Sequence, residues 1–340
     1  MSVVPLGICV NPMSGRDVRR LAARASNMTH EAKRDIVARL AAGAVAAGVT
    51  DIFVAREPFR IASLALEHLA LDVRVHVLDL PVRNSAADTE AAVAAFLDAG
   101  CSTLASIGGD GTNRAIVRTL QRLGCAADVH LLPLSTGTNN VFPALLEPTV
   151  AGSVAGMQAR GVLEDPQLRA RCKVVHVHDR GTDEQDVALI DAVLLRDDFV
   201  GNMLPFAADK IERLLLSRAE PNAVGMSPIG GMLEVVDAAA DAALLVEMGP
   251  GRRFWAPLAP GSFQEVSVAR AERLPLATPV VFPGPGVLAL DGDRELKLTQ
   301  RGATLEVRRD GPWVPDVDAA MRWVVGQGII APVSPGPAIA

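Results

Sequence analysis

The chain has 340 residues, long enough for two domains with a core each, and is 49% hydrophobic and 21% charged. Its 33 basic and 39 acidic side chains give a formal charge of −6. That balance excludes broad binding to nucleic acid or to an anionic membrane, which needs a basic face.

The first 145 residues alternate strand and helix patterns. "PLGICV" (5–10) is an apolar strand ending in the turn "NPMSG" (11–15). A helix is predicted over 29–48, a strand over 51–55, a helix over 60–70 and a strand over 73–80. Ser85 and Asp88 form a capping-box-like opening to a helix that stops at Gly100. The buried strand "STLASI" (102–107) feeds "GGDGT" (108–112) and a helix to about Leu123, and "VHLLPL" (129–134) runs likewise into "STGTNN". Such alternation implies a Rossmann-like α/β domain, here 1–150, with a parallel sheet covered on both faces.

Past residue 160 short β-like runs separated by Gly, Pro and Asp predict a β-sandwich-like domain over 151–312, interrupted by helices at 206–217 and about 229–240. The segment 313–340 reads as helical over 316–330, returning to the first domain, and loose over "VSPGPAIA" (333–340). Cys9, Cys101, Cys125 and Cys172 are scattered, as buried free thiols of a reducing cytosol would be. Alternation in "CKVVHVHD" puts His176 and His178 on one face of a strand, which reads as a strand with Cys172 at its start, not a metal site. The start lacks the basic and apolar regions of a signal peptide, and no stretch reaches the ~20 apolar residues of a bilayer span. A cytoplasmic protein is expected.

The chemistry is in the glycine turns. In open α/β sheets ligands collect at the carboxyl ends of the strands, and a glycine turn opening a helix exposes N–H groups that favour an anion. Gly108, Gly109 and Gly111 are therefore explicable as a phosphate cradle. Asp110 is not, because a carboxylate repels phosphate. It makes sense if it handles a proton or hydroxyl, or holds Mg²⁺ or its water shell; an Asp-capped turn is the plain alternative. There is no GxxxxGK[ST], GxSxG or HExxH, and "GPGVLA" (284–289) lies in a Pro-broken β region unsuited to a dinucleotide turn.

"GGDGT" resembles the signature of the superfamily joining NAD kinases with diacylglycerol and sphingosine kinases. "NPMSG" resembles the NPxSG turn of its lipid-kinase branch, and "GTNNVF" (137–142) resembles GTGNDF of that branch, with Val141 in place of Asp. "ALIDAVLLR" (188–196) resembles the NAD-kinase ALNEVVLxR, with Ile190 and Asp191 standing for Asn-Glu. "MSPIGGM" (226–232) resembles the TPTGS loop, and "LDGD" (290–293) the late DGE or DGQ element. This mixture is most similar to the ATP-NAD kinase-like acetoin-catabolism protein X group.

The resemblance implies a Rossmann-like domain, a β-sandwich domain and an ATP-dependent kinase site between them, with ATP and Mg²⁺ as cofactors. The phosphates would sit on Gly108, Gly109, Gly111 and Thr112 and on Gly137, Thr138, Asn139 and Asn140, with Asn11, Ser14 and Gly15 at the nucleotide's other end. Asp110 would orient or deprotonate an acceptor hydroxyl, with Asp293 second; Asp191, Ser227 and Gly230 would line the acceptor side. Plainer roles stay open for some of these: Asp191 as a satisfier of neighbouring backbone, Asp291 and Asp293 as a hairpin turn. The acceptor would be a small molecule, NAD(H) or a related metabolite, in acetoin catabolism; a lipid kinase or a non-catalytic nucleotide-binding accessory protein are the alternatives. Ile190 removes a hydrogen-bonding partner and Val141 a carboxylate, weakening the case for NAD and for diacylglycerol. The weakly charged apolar stretch 274–290 suggests pairing into a homodimer or homotetramer.

Overall fold

The computed structural model describes residues 3–16, 28–67 and 69–329, so the 333–340 tail lies outside the described residues. The first five strands, β1 (Pro5–Val10), β2 (Asp51–Ala55), β3 (Arg74–Leu78), β4 (Thr103–Gly108) and β5 (His130–Ser135), form one parallel sheet in the order β3-β2-β1-β4-β5. Parallel neighbours need crossover connections, and helices supply them. α1 (His30–Ala46) starts at Thr29, whose hydroxyl accepts from the N–H of Ala32. α2 (Ile61–Glu67), α3 (Ala86–Asp98), α4 (Asp110–Arg122) and α5 (Pro148–Ala159) follow.

Side chains of α1, α2 and α5 bury one face of the sheet with Leu6, Ile8, Ile52 and Ile107. Val93 and Phe96 of α3 and Ile116, Val117 and Leu120 of α4 bury the other. The capping box before α3 is half formed: Asp88 accepts from the N–H groups of Arg83 and Asn84, but Ser85 caps nothing through its side chain.

A short strand β6 (Arg169–Arg171) leads into two antiparallel sheets built from β7 (Val174–Asp179), β8 (Gln185–Ala188), β9 (Asp191–Leu195), β10 (Ile211–Leu216), β11 (Ala242–Ala259), β12 (Ser262–Pro275), β13 (Val280–Phe282), β14 (Gly286–Leu290), β15 (Asp293–Leu298) and β16 (Ala303–Arg308). Their orders are β12-β11-β10-β9-β14-β15 and β13-β16-β7-β8. Ala192, Leu194, Leu215 and Leu288 of the larger sheet pack on Val175, Val177, Phe282 and Leu305 of the smaller, the core of a sandwich. The chain then returns: β17 (Trp313–Pro315) adds to the parallel sheet beside β5, with β6 on its far side. Asp316 caps the final helix, which packs Ala320 and Val324 on the first core.

Two helix expectations are corrected. "IERLLL" is the central strand β10, and only residues 208–210 before it are helical, as a 3₁₀ turn. Both faces of that strand are buried, so it lacks the alternation that marks a half-exposed strand. Of 229–240 only the start is helical, in α6 (Ser227–Gly231); the rest is turns, held by the buried Lys173 Nζ donating to the carbonyls of Asp237, Ala240 and Ala242. Within the apolar stretch 274–290, Val280, Phe282 and Leu288 are core residues of the sandwich, while Pro275, Ala277, Pro279, Val281, Pro283 and Pro285 are exposed. Among the described residues no helix is long and apolar enough to cross a membrane.

Candidate active site

Strand order reverses between β1 and β4, the position where open α/β sheets form a crevice beyond their carboxyl ends. Three turns meet there. Asn11, just after β1, donates through Nδ2 to Thr112 Oγ1 at 2.8 Å, while its Oδ1 accepts from the N–H groups of Met13 and Ser14. Ser14 and Thr136 share a 2.8 Å hydroxyl–hydroxyl bond, which ties the first turn to the segment after β5. Lys33, fully buried in α1, donates to the carbonyls of Asn11, Pro12 and Ser14 at 2.7–2.8 Å. The turn is thus fixed from both sides.

The second and third turns touch through glycine. A Cβ on Gly137 would lie 2.7 Å from Gly109 Cα, closer than side chains permit. Gly109 is the N-cap of α4 and gives its first turn no side-chain cap, so the positive end of the helix faces the crevice. Asp110, at the first helical position, accepts from the N–H of Phe142 through Oδ1 at 2.8 Å and from that of Val141 through Oδ2 at 3.3 Å. On the other side of that peptide, Arg218 donates to the Val141 carbonyl at 3.1 Å. Burial pushes the Asp110 carboxyl above the usual range, against the opposing pull of those two N–H bonds.

Around these turns lies a cleft of about 690 Å³. The first turn contributes Asn11, Ser14 and Gly15; the second Gly109, Asp110, Gly111 and Thr112; the third Gly137, Thr138 and Asn139. The opposite wall, from the sandwich, is apolar at Met203, Pro205, Phe206 and Leu258 and acidic at Asp291, Asp293 and Glu295. Among the described residues, six carboxylates (Glu57, Asp88, Asp110, Asp291, Asp293, Glu295) and three guanidinium groups (Arg56, Arg114, Arg118) line the cleft. Asp293 stands over Gly111, with Oδ2 at 3.8 Å from Arg114, which also pairs with Glu295.

Beneath the cleft is a chamber of about 20 Å³ that shares Asp110, Asn139, Phe206 and Asp291 with it and adds Asp191. Asp291 accepts from the N–H groups of Leu189, Ile190 and Asp191. Burial, joined by the neighbouring carboxylates Asp291 and Asp110, holds Asp191 well above the usual carboxylate range; burial also pushes Asp291 up to about 7. Among the described residues no group of three or more His, Cys, Asp or Glu side chains is arranged to hold a metal ion.

Several singled-out residues stand back from these surfaces. Gly108 ends β4 in the core, where a Cβ would strike Thr112, and Asn140 turns inward to donate to the Gly137 carbonyl. Ser227 is fully buried; its hydroxyl donates to the Arg218 carbonyl and accepts from the Glu220 N–H, bracing a turn. Gly230 packs against Leu216 and Leu244. From that loop the residues reaching the chamber are Val224, Gly225 and Met226. His176 and His178 pair with Asp310 and Asp183, and Cys172 is buried between the domains' strands and helices.

The motifs missed Lys33, Arg114, Arg218 and the anchoring of Asp291. Lys33 carried a signal: it falls on the buried stripe of α1 with Val37, Leu40 and Ala44, where an unpaired lysine does not belong.

A family model described as the acetoin catabolism protein X C-terminal domain matches residues 173–310. Acetoin catabolism protein X of Cupriavidus necator is 35% identical over 306 residues, spanning 86% of this chain and 84% of that protein. Among solved structures, a diacylglycerol kinase from Bacillus anthracis is similar with a TM-score of 0.47 at 9% identity, covering 93% of this chain and 97% of that one. A second structure from the same organism gives 0.49 at 10% identity, covering 93% and 98%.

Proposed function

The chain belongs to the acetoin catabolism protein X family, and from that membership we propose that it is an ATP-dependent phosphotransferase acting on a hydroxyl of a small-molecule acceptor. The observation that carries this reading is the meeting of three turns at the strand-order reversal, where backbone and a helix N-terminus face a cleft of about 690 Å³. Phosphoryl transfer asks mainly for positioning and charge neutralisation, and such a cradle supplies positioning. We infer that ATP would be used together with Mg²⁺, which would supply charge neutralisation at the phosphates.

The family name points to acetoin catabolism as the setting. NAD(H) fits less well, because Ile190 is a core residue packed in the cluster with Phe142 and Leu189 and offers no hydrogen bond. A second reading, a nucleotide-binding accessory protein without catalysis, is favoured by one observation: both oxygens of Asp110 are engaged by backbone. ATP consumption that depends on an added acceptor supports the phosphotransferase; ATP binding with no such consumption supports the accessory protein. A homodimer or homotetramer remains part of the proposal, tested by light scattering at micromolar concentration.

A further inference from the structure

Two of the three carboxylates beneath the cleft are committed to the chain itself. Asp110 is held by the N–H groups of Val141 and Phe142, and Asp291 by those of residues 189–191. Asp191 differs. Its side chain is only 6% exposed, and its Oδ1 has no hydrogen-bond partner. A buried polar oxygen left without a donor is costly, so its persistence points to a donor that arrives from outside. The chamber it lines, about 20 Å³, has room for about one water-sized group. Apart from the carboxylates and Asn139, its side-chain walls are apolar: Val141, Ile190, Phe206, Val224 and Met226.

We propose that Asp191 receives the acceptor's hydroxyl and that the acceptor is a short aliphatic alcohol presented end-on from the cleft. This rests on the phosphotransferase reading and adds to it the acceptor class and the group that takes the proton. As the hydroxyl oxygen bonds to the γ-phosphorus of ATP, the bond from that phosphorus to the β,γ-bridging oxygen breaks. ADP leaves with that electron pair, and the hydroxyl proton passes to the Asp191 carboxylate, ionised as pH rises above its raised value, and then to solvent. The products are an alkyl phosphate and ADP. Ile190, on the chamber wall, gives a ribose ring no polar partner.

The test offers the full chain ATP and Mg²⁺ with ethylene glycol, propylene glycol, glycerol, NAD or a dispersed diacylglycerol in turn. ADP release is followed, and ATP affinity is measured separately by calorimetry. The short alcohols are expected to exceed NAD and diacylglycerol at least tenfold in kcat/KM. Asp191→Asn should lower kcat by about 10²–10⁴-fold while KM and ATP affinity stay within about threefold. Val224→Ala, which widens the chamber, should lower KM for branched alcohols several-fold. Wild-type kcat in Asp191→Asn, preference for NAD or the lipid, or ATP binding with no short alcohol phosphorylated would each overturn the proposal. Absence of ATP binding would instead remove the phosphotransferase reading, and this proposal with it.

Discussion

Gly109 and Gly137 meet backbone to backbone across the base of the cleft, so that neither can gain a side chain without separating the two turns. The strain is unequal. An alanine Cβ at 137 would lie 2.7 Å from Gly109 Cα and 2.5 Å from Asn140 Oδ1, whereas one at 109 would lie 3.1 Å from Gly137 Cα. Gly137→Ala should therefore weaken ATP binding more than Gly109→Ala, by about tenfold or more. Calorimetric titration with a melting control checks this; equal affinities in both variants and wild type would contradict it.

Asp110→Asn separates turn building from proton handling. An amide has one acceptor oxygen, so one of the N–H groups of Val141 and Phe142 would face an NH₂ group. The expected loss is about 1–3 kcal/mol of stability, the scale for a donor left unpaired. ATP affinity should fall with it, because the displaced turn carries Gly137 and Asn139. Urea unfolding and calorimetry measure both. An Asn variant with wild-type stability and affinity but greatly reduced turnover would return the proton-handling role to Asp110.

Much of the site was legible because its parts are contiguous in sequence: an apolar strand followed at once by Asn-Pro or Gly-Gly states both the strand and the turn at its end. The division of labour among the carboxylates was not legible. What distinguishes Asp110 and Asp291 from Asp191 is which backbone N–H groups reach them, and those lie 31 and 102 residues away along the chain. β10 was misread for a related reason: its neighbours on both faces come from distant segments, so burial erased its period. Ser227 sits in a loop that resembles a ligand loop, yet its hydroxyl is spent on its own turn.

Lys33→Met keeps the side chain's length but removes the donor shared by three carbonyls of the first turn. Stability should drop by about 2–3 kcal/mol, and ATP affinity should fall as Asn11 and Ser14 lose their fixed geometry. Denaturant unfolding reads the first effect and calorimetry the second. A change below about 0.5 kcal/mol would mean that the ammonium does not organise the turn.

The Asp191–Asp291 pair makes stability depend on pH. Burial raises both carboxyls above their ordinary value of 3.8, Asp291 to about 7. The backbone N–H groups on Asp291 favour its anion, so the proton kept by the pair rests on Asp191. A raised folded-state value means the folded protein holds protons that the unfolded chain has released. The contribution to stability is full below about pH 4 and is lost as pH rises towards and through 7. In Asp191→Asn the like-charge contact is gone, so its melting temperature should gain on wild type steadily from pH 4 to 8. A gap independent of pH would show that the pair does not share a proton.

The central claim, phosphoryl transfer from ATP to a small alcohol in this cleft, is tested most directly by phosphorus NMR of purified protein with ATP, Mg²⁺ and a short diol. The account expects the γ-phosphate signal to decline as signals of ADP and a phosphomonoester rise together, and expects neither change with Gly137→Ala at the same concentration. ATP that binds but stays intact, or that yields only inorganic phosphate whether or not the alcohol is present, would contradict it.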